Sequence, residues 1–291
     1  MALLLWVWIG CTVFILGCAW RAYRYASAPE HLRWDLYPVA HEPNAHGGSY
    51  LEEKEWWTKP RRTTLVGEVV FMAEEILLLR GVWRNNRRLW WGSFPFHWGL
   101  YLMVLTTVGL LAAGMGLGGE VLLALLALIG GMGGALLAAG SLVLLFLRAR
   151  DPKLRPYTAP VDLMNLGLLL ALGLLSLLVA WVGMAPVAGA VADLTRVRPL
   201  SVSPLLGTQM AVASLFLLYM PTTRMVHFFS KYFTYHAVRW DDRPRERGSA
   251  LDHRLRRALE FGVDWSAEHV RTGKTWVEVA TNVPDDASAG E

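Results

Sequence analysis

Cysteine is nearly absent: the 291 residues contain two, and both, Cys11 and Cys18, lie in the first apolar run. Two thiols cannot supply the four ligands of an iron–sulfur cluster or a structural zinc site, and they form no disulfide framework. Any iron–sulfur chemistry associated with this chain therefore belongs to a partner. Charge is scarce too. Charged residues make up 18% of the chain against 54% hydrophobic ones, whereas a soluble domain carries about 25% charge. With a mean hydropathy of +0.33, the chain is neither disordered, collagenous nor an ordinary soluble domain. A formal charge of +4 suggests nucleic acid in a soluble protein; in a membrane protein its usual source is basic loops held on the cytoplasmic side, so no nucleic-acid partner is expected.

What the chain has in abundance is long apolar sequence. Five runs, 3–20, 94–117, 121–147, 161–185 and 205–229, are long enough to cross about 30 Å of hydrocarbon as helices. The first has no basic residue before it and no small-residue cleavage site, and Arg21 and Arg24 follow it, so it reads as a retained helix rather than a signal peptide. The connection 21–93 is rich in arginine and lysine, and Arg148, Arg150, Lys153 and Arg155 follow the third run. The connections 118–120 and 186–204 carry only Arg196 and Arg198. The positive-inside rule then gives an all-α five-helix membrane bundle with its N-terminus outside and its C-terminus cytoplasmic; the expected compartment is a prokaryotic inner membrane. Residues 1–236 are expected to form the membrane domain and 237–291 a cytoplasmic tail that docks a partner.

Within the 21–93 connection, Leu65, Val66, Val69, Val70, Ala73, Ile76 and Leu77 recur at helical spacing, with Glu68 and Glu75 on another face. This predicts an amphipathic helix. It either packs on the bilayer surface or bundle, or walls a lipid-side entry for a hydrophobic substrate. The stretch 26–60, with Pro29, Pro38, Pro43 and Gly47-Gly48, reads as an irregular ordered loop, and 251–261 as a short amphipathic helix in the tail.

Eight histidines are present: His31, His41, His46, His97, His227, His236, His253 and His269. Only His97 and His227 fall within apolar runs, each about three residues from the cytoplasmic end, which places them at matched depth. Two imidazoles so placed on different helices are what a six-coordinate b-type haem needs. The competing reading makes them interfacial histidines bonded to carbonyls or headgroups. No cysteine pair followed by histidine is available for covalent attachment, so a haem here would be non-covalent. Arg224 and Lys231, one turn to either side of His227, are either partners of a haem propionate or interfacial anchors. Small residues in the third and fourth runs, among them Gly130, Gly133, Gly134, Gly140 and Gly173, allow either a macrocycle or a neighbouring helix to approach closely. Pro221 is expected to kink the fifth helix.

The string Phe94-Pro95-Phe96-His97-Trp98-Gly99-Leu100-Tyr101, preceded by Leu89-Trp90-Trp91, and the string His227-Phe228-Phe229-Ser230-Lys231-Tyr232-Phe233 resemble the gamma-subunit family of respiratory nitrate reductase. The resemblance is closer to the branch that serves sulfite-reduction, transmembrane-redox and heterodisulfide-reductase-like complexes. It covers most of the chain and includes Lys274-Thr275-Trp276 in the tail. It implies a cytochrome b that exchanges electrons between the quinone pool and a cytoplasmic iron–sulfur electron-transfer subunit. The nitrate reductase pattern resembles two stacked haems, but here Thr107 and Gln209 stand at candidate positions for the second ligand pair. One haem b is expected, near the cytoplasmic face.

A quinone ring needs a hydrogen-bond donor and a proton-exchanging group close by, with an opening to lipid. The cytoplasmic-side candidates are His31, Asp35, Glu75, Asp162, Lys231 and Tyr235. His236 is the competitor to His227 as ligand. The alternatives to an electron-transfer subunit are a haem-free membrane anchor that docks a soluble redox enzyme and, with weaker support, a small-solute transporter. Tail arginines from Arg239 to Arg257, with Trp265 and Trp276, suit a partner surface or contact with anionic lipid.

Overall fold

The structure, a computed structural model, describes residues 1–31, 39, 41–42, 55, 58, 62–241, 245–267, 270 and 272–281. Asp35, His46 and His269 lie outside the described residues. The chain forms two compact units, Met1–Ala19 with Glu68–Val226 and Trp20–Gly67 with His227–Glu291.

The first unit is built on helices: α1 (Ala2–Ala26), α2 (Leu65–Leu77), α3 (Arg80–Asn85), α4 (Arg87–Gly114), α5 (Gly119–Arg150), α6 (Pro160–Val182), α7 (Ala185–Thr195) and α8 (Pro204–Tyr219). Five spans are long and apolar enough to cross a membrane: α1, α4, α5, α6 and Pro204–Thr222. The protein is an all-α, multi-pass membrane protein. α1, α5 and the start of α4 overrun the apolar sequence because hydropathy marks the lipid-embedded part of a helix, not its caps. α4 starts seven residues before its apolar run, where the Asn86 side chain accepts from the Leu89 amide at 3.0 Å. The 32 residues of α5 rise about 48 Å, which carries Arg148 and Arg150 beyond a hydrocarbon core of about 30 Å.

Lipid tails are as apolar as leucine, so the bundle is held by close packing rather than by water exclusion. α4 and α5 run antiparallel in one register, with Gly92 against Leu144, Gly99 against Leu137 and Gly109 against Leu126. Their backbones meet at glycines. A Cβ on Gly99 would stand 2.4 Å from the Leu137 nitrogen, and one on Gly140 2.5 Å from that of Phe96. α5 meets α6 the same way, with Gly134 against Gly173 and Leu177. Phe96, Leu137, Leu144, Leu166, Leu169 and Leu172 fill the core between these three helices. α1 lies parallel to α8, with Gly10 against Ser214 and Gly17 against Pro221, and Trp6 Nε1 donates to the Ala211 carbonyl at 3.0 Å. At the arginine-rich end, Arg88 pairs with the buried Asp151 at 3.2 Å, which joins the start of α4 to the end of α5.

Two features depart from the sequence reading, and a third narrows it. The connection 186–204 contains α7, whose Ala188 packs with Leu110, Leu126, Ala180 and Met184; its 11 residues are too few to register as a span. The amphipathic helix forms at the expected residues as α2, and Leu65, Val66, Val69, Val70, Ile76 and Leu77 all face outward, which fits the bilayer-surface and lipid-side alternatives. Its apolar face does not cover the bundle. The largest difference is the fifth run. Instead of kinking at Pro221, the helix stops: Met220–Thr222 is a 3-10 turn, Thr223 is extended, and Arg224–Val226 is a second 3-10 turn. Pro221 has no amide to continue the ladder. The neighbouring hydroxyls bind local backbone instead, with Thr222 Oγ1 donating to Tyr219 O, Thr223 Oγ1 to Met220 O, and the Met225 amide to Thr223 Oγ1. His227 is therefore not the third residue from the end of a continuous span; it opens a separate helix.

The second unit contains that helix, α9 (His227–Thr234), a π-helical turn Tyr235–Arg239, α10 (Ala250–Leu259) and α11 (Trp276–Thr281). Tyr25 packs against Phe229 and Phe233. The tail is folded rather than merely charged. Ser249 caps α10 by accepting from the Asp252 amide at 3.1 Å, and antiparallel bridges join Gly262 to Thr275 and Ala267 to Val270. Ala258, Val263 and Val270 are buried beneath them.

Candidate functional site

Within the first unit the chemistry centres on His97, in the third turn of α4. Its Nδ1 lies 2.7 Å from the carbonyl oxygen of Ser93, one turn earlier. A carbonyl only accepts, so Nδ1 carries the proton of this bond. Phe96 meets the ring edge-on at 5.2 Å and Tyr101 lies 6.4 Å away. Ser93, Phe96 and Gly99 are buried around it.

Tyr101 also anchors α2. Its hydroxyl donates to the Ile76 carbonyl at 2.8 Å, Trp98 Nε1 to Leu77 at 2.9 Å, and Trp90 Nε1 to Leu78 at 2.8 Å. Three consecutive carbonyls at the end of α2, which the helix itself cannot satisfy, are thus bonded by three aromatics of α4. Leu79 then reverses the chain in the left-handed region at φ 51° with its side chain buried. The aromatic run was quoted from the sequence as a motif; that it holds a second helix was not foreseen. The spacing of Trp90, Trp98 and Tyr101 along one helix was the available signal.

Of the quinone-site candidates in this unit, Asp162 has structural work. Asp162 Oδ2 accepts from the Ala159 amide at 2.9 Å and caps α6. Glu75 sits against Gly81, and its neighbour Glu74 pairs with Arg80. Arg224 is exposed in the 3-10 turn before Val226.

In the second unit His227 is exposed at the start of α9, and Lys231 follows one turn later, half-buried. His31 and Tyr235 belong to a cluster around Trp240. The Trp240 ring lies 4.8 Å from Tyr235, 5.0 Å from His236 and 4.5 Å from His41. His31 Nε2 stands 3.6 Å from the buried carboxylate of Asp241, and Arg239 donates to the Tyr235 hydroxyl at 3.3 Å. Asp241 is the member the sequence reading missed; an aspartate in a charged tail gives no signal. His236 Nδ1 lies 2.8 Å from the Tyr232 carbonyl, so it is set in the same tautomer as His97, and its ring stacks on Tyr232 at 4.1 Å. Farther along, Asp252 accepts from the Gly248 amide, Arg245 and Arg256, which together hold its carboxyl well below the usual range. Trp265 and Trp276 meet at 6.2 Å and are exposed with Phe261 and Val277.

Among the described residues no group of three or more His, Cys, Asp or Glu side chains is placed to hold a metal ion; a haem iron asks the protein for only two. Compared with protein-family models and with curated proteins, the chain matches none.

Proposed function

We propose that the protein is a membrane cytochrome b subunit that exchanges electrons between quinone and an iron–sulfur partner, with one non-covalent haem b that His97 and His227 would hold. The observation that carries this reading is the Ser93–His97 bond. A histidine that ligates a metal usually donates its other ring nitrogen to a carbonyl or carboxylate, which fixes the tautomer and raises the basicity of the ligating nitrogen. His97 has this arrangement inside an apolar span. A haem held there supplies a one-electron centre that the chain's own side chains lack. Phe96 and Tyr101 restrain the imidazole, and Arg224 and Lys231 offer positive charge for propionates. His31, with the Asp241 carboxylate beside it, is the quinone-site candidate best equipped to exchange a proton. In this reading the arginine-rich end faces the cytoplasm, and Phe261, Trp265 and Trp276 offer the partner an aromatic surface.

A reduced-minus-oxidised spectrum of the purified protein tests the proposal, with a Soret band and a reduced alpha band expected. Their absence favours the haem-free anchor. His97→Ala and His227→Ala are expected to abolish haem, and His253→Ala, on exposed α10, to leave it intact. The tautomer of His236 supports one second reading, in which it replaces His227. Full haem content in His227→Ala with loss in His236→Ala establishes that assignment.

A further inference from the structure

Farther along the bundle than His97, the first unit also contains a partly open cavity lined by apolar surface and four polar side chains. It has a volume of about 70 Å³, and its lining includes Met103, Thr106, Thr107, Ser176, Met184 and Gln209. Gln209 lies five residues into α8 and Ser176 six residues before the end of α6, which sets them about 8–9 Å along their helices from that end. Gln209 Nε2 donates to Ser176 Oγ at 2.8 Å, a side-chain bond between α6 and α8. This bond leaves the Gln209 carbonyl oxygen, its second amide hydrogen and the Ser176 hydroxyl hydrogen without protein partners. Thr106 and Thr107 use their hydroxyl hydrogens on Leu102 O and Met103 O, which leaves their oxygens as acceptors. Polar groups left unbonded at membrane depth cost several kcal/mol each.

We infer that this cavity is a built water site, holding at least two waters that bridge Gln209 and Ser176 to the threonine hydroxyls. The volume admits them, since a water occupies about 30 Å³ in the liquid and needs two to four polar partners, which the lining supplies. It lies far below the roughly 300 Å³ of pockets that hold ring-sized ligands. An apolar cavity would stay dry; this one combines unfilled donors and acceptors in one place. The inference is independent of the haem proposal.

Met103 and Met184 are reporters in the wall. Protein in lipid nanodiscs is exposed to a synchrotron pulse, which makes hydroxyl radicals from water in place, and methionine sulfoxide is then measured by peptide mass spectrometry. The reference is Met132, which faces outward from the middle of α5. Met103 is expected to oxidise several-fold more than Met132 in the wild type, and Gln209→Leu to bring the ratio towards one, while Gln209→Asn retains most of it. A wild-type ratio near one overturns the inference, as does an unchanged ratio in Gln209→Leu. A misfolded variant raises Met132 as well, and the wild-type ratio then decides alone.

Discussion

Replacing Gly99 with alanine adds one methyl where two helix backbones touch. The new Cβ would stand 2.4 Å from the Leu137 nitrogen, 2.7 Å from its Cα and 2.8 Å from the Gly133 carbonyl oxygen. All three are backbone atoms, so no side-chain rotation relieves the overlap. α4 and α5 must separate by about 1 Å to restore ordinary contact, and a gap of that size forfeits a quarter to a half of the dispersion energy of each facing pair. Overpacking of this kind costs about 1–3 kcal/mol, and the upper half of that range is expected because the strain runs through both backbones. Gly167→Ala is the control. Nothing lies within 4 Å of its added methyl, and alanine is the better helix former by roughly 1 kcal/mol, so it is neutral or mildly stabilising. Gly99→Ala with Gly140→Ala should cost less than the two singly, because one separation relieves both. Thermal unfolding in detergent, followed by circular dichroism, gives the comparison. Equal stability of Gly99→Ala and Gly167→Ala would refute the glycine contact between α4 and α5.

Other outcomes follow from single contacts. Tyr101→Phe removes the bond to Ile76 and should loosen α2 by about 1 kcal/mol, read as faster amide exchange in α2 with α6 unchanged; Trp98→Phe acts in the same direction. Asp252, held below its ordinary value by the Gly248 amide, Arg245 and Arg256, contributes stability that is fully present above the unfolded carboxylate pKa of about 4 and lost as pH falls through the lower folded value. Tail unfolding monitored through Trp265 and Trp276 should therefore be flat from pH 7 to about 5 and ease below that, while Asp252→Asn should remove this dependence. Leu79→Gly relieves a left-handed backbone worth about 1–2 kcal/mol but loses a buried leucine worth roughly 1.5–3 kcal/mol, so a small net loss in melting temperature is expected. Leu79→Val, β-branched at positive φ, should lose more.

The five spans and α2 were legible in the sequence because each depends on a quantity spread over many residues. About twenty apolar side chains force a helix in lipid whatever their neighbours do, and a repeating apolar face marks a helix in the sequence whatever it later packs against. The aromatic string around His97 was legible as a motif. What stayed hidden depends on a few atoms meeting. The break at Pro221 required Thr222 and Thr223 to turn their hydroxyls onto local backbone, a choice that composition leaves open and that removed His227 from the span. The tautomer of His97 hangs on one carbonyl a turn away, and the outward face of α2 on three aromatics reaching its last carbonyls. Ser176 and Gln209, and His31 and Asp241, are far apart in the chain. Hydropathy and periodicity are local sums, and a hydrogen bond between distant residues leaves no trace in either; only the packed helices decide which polar groups face one another.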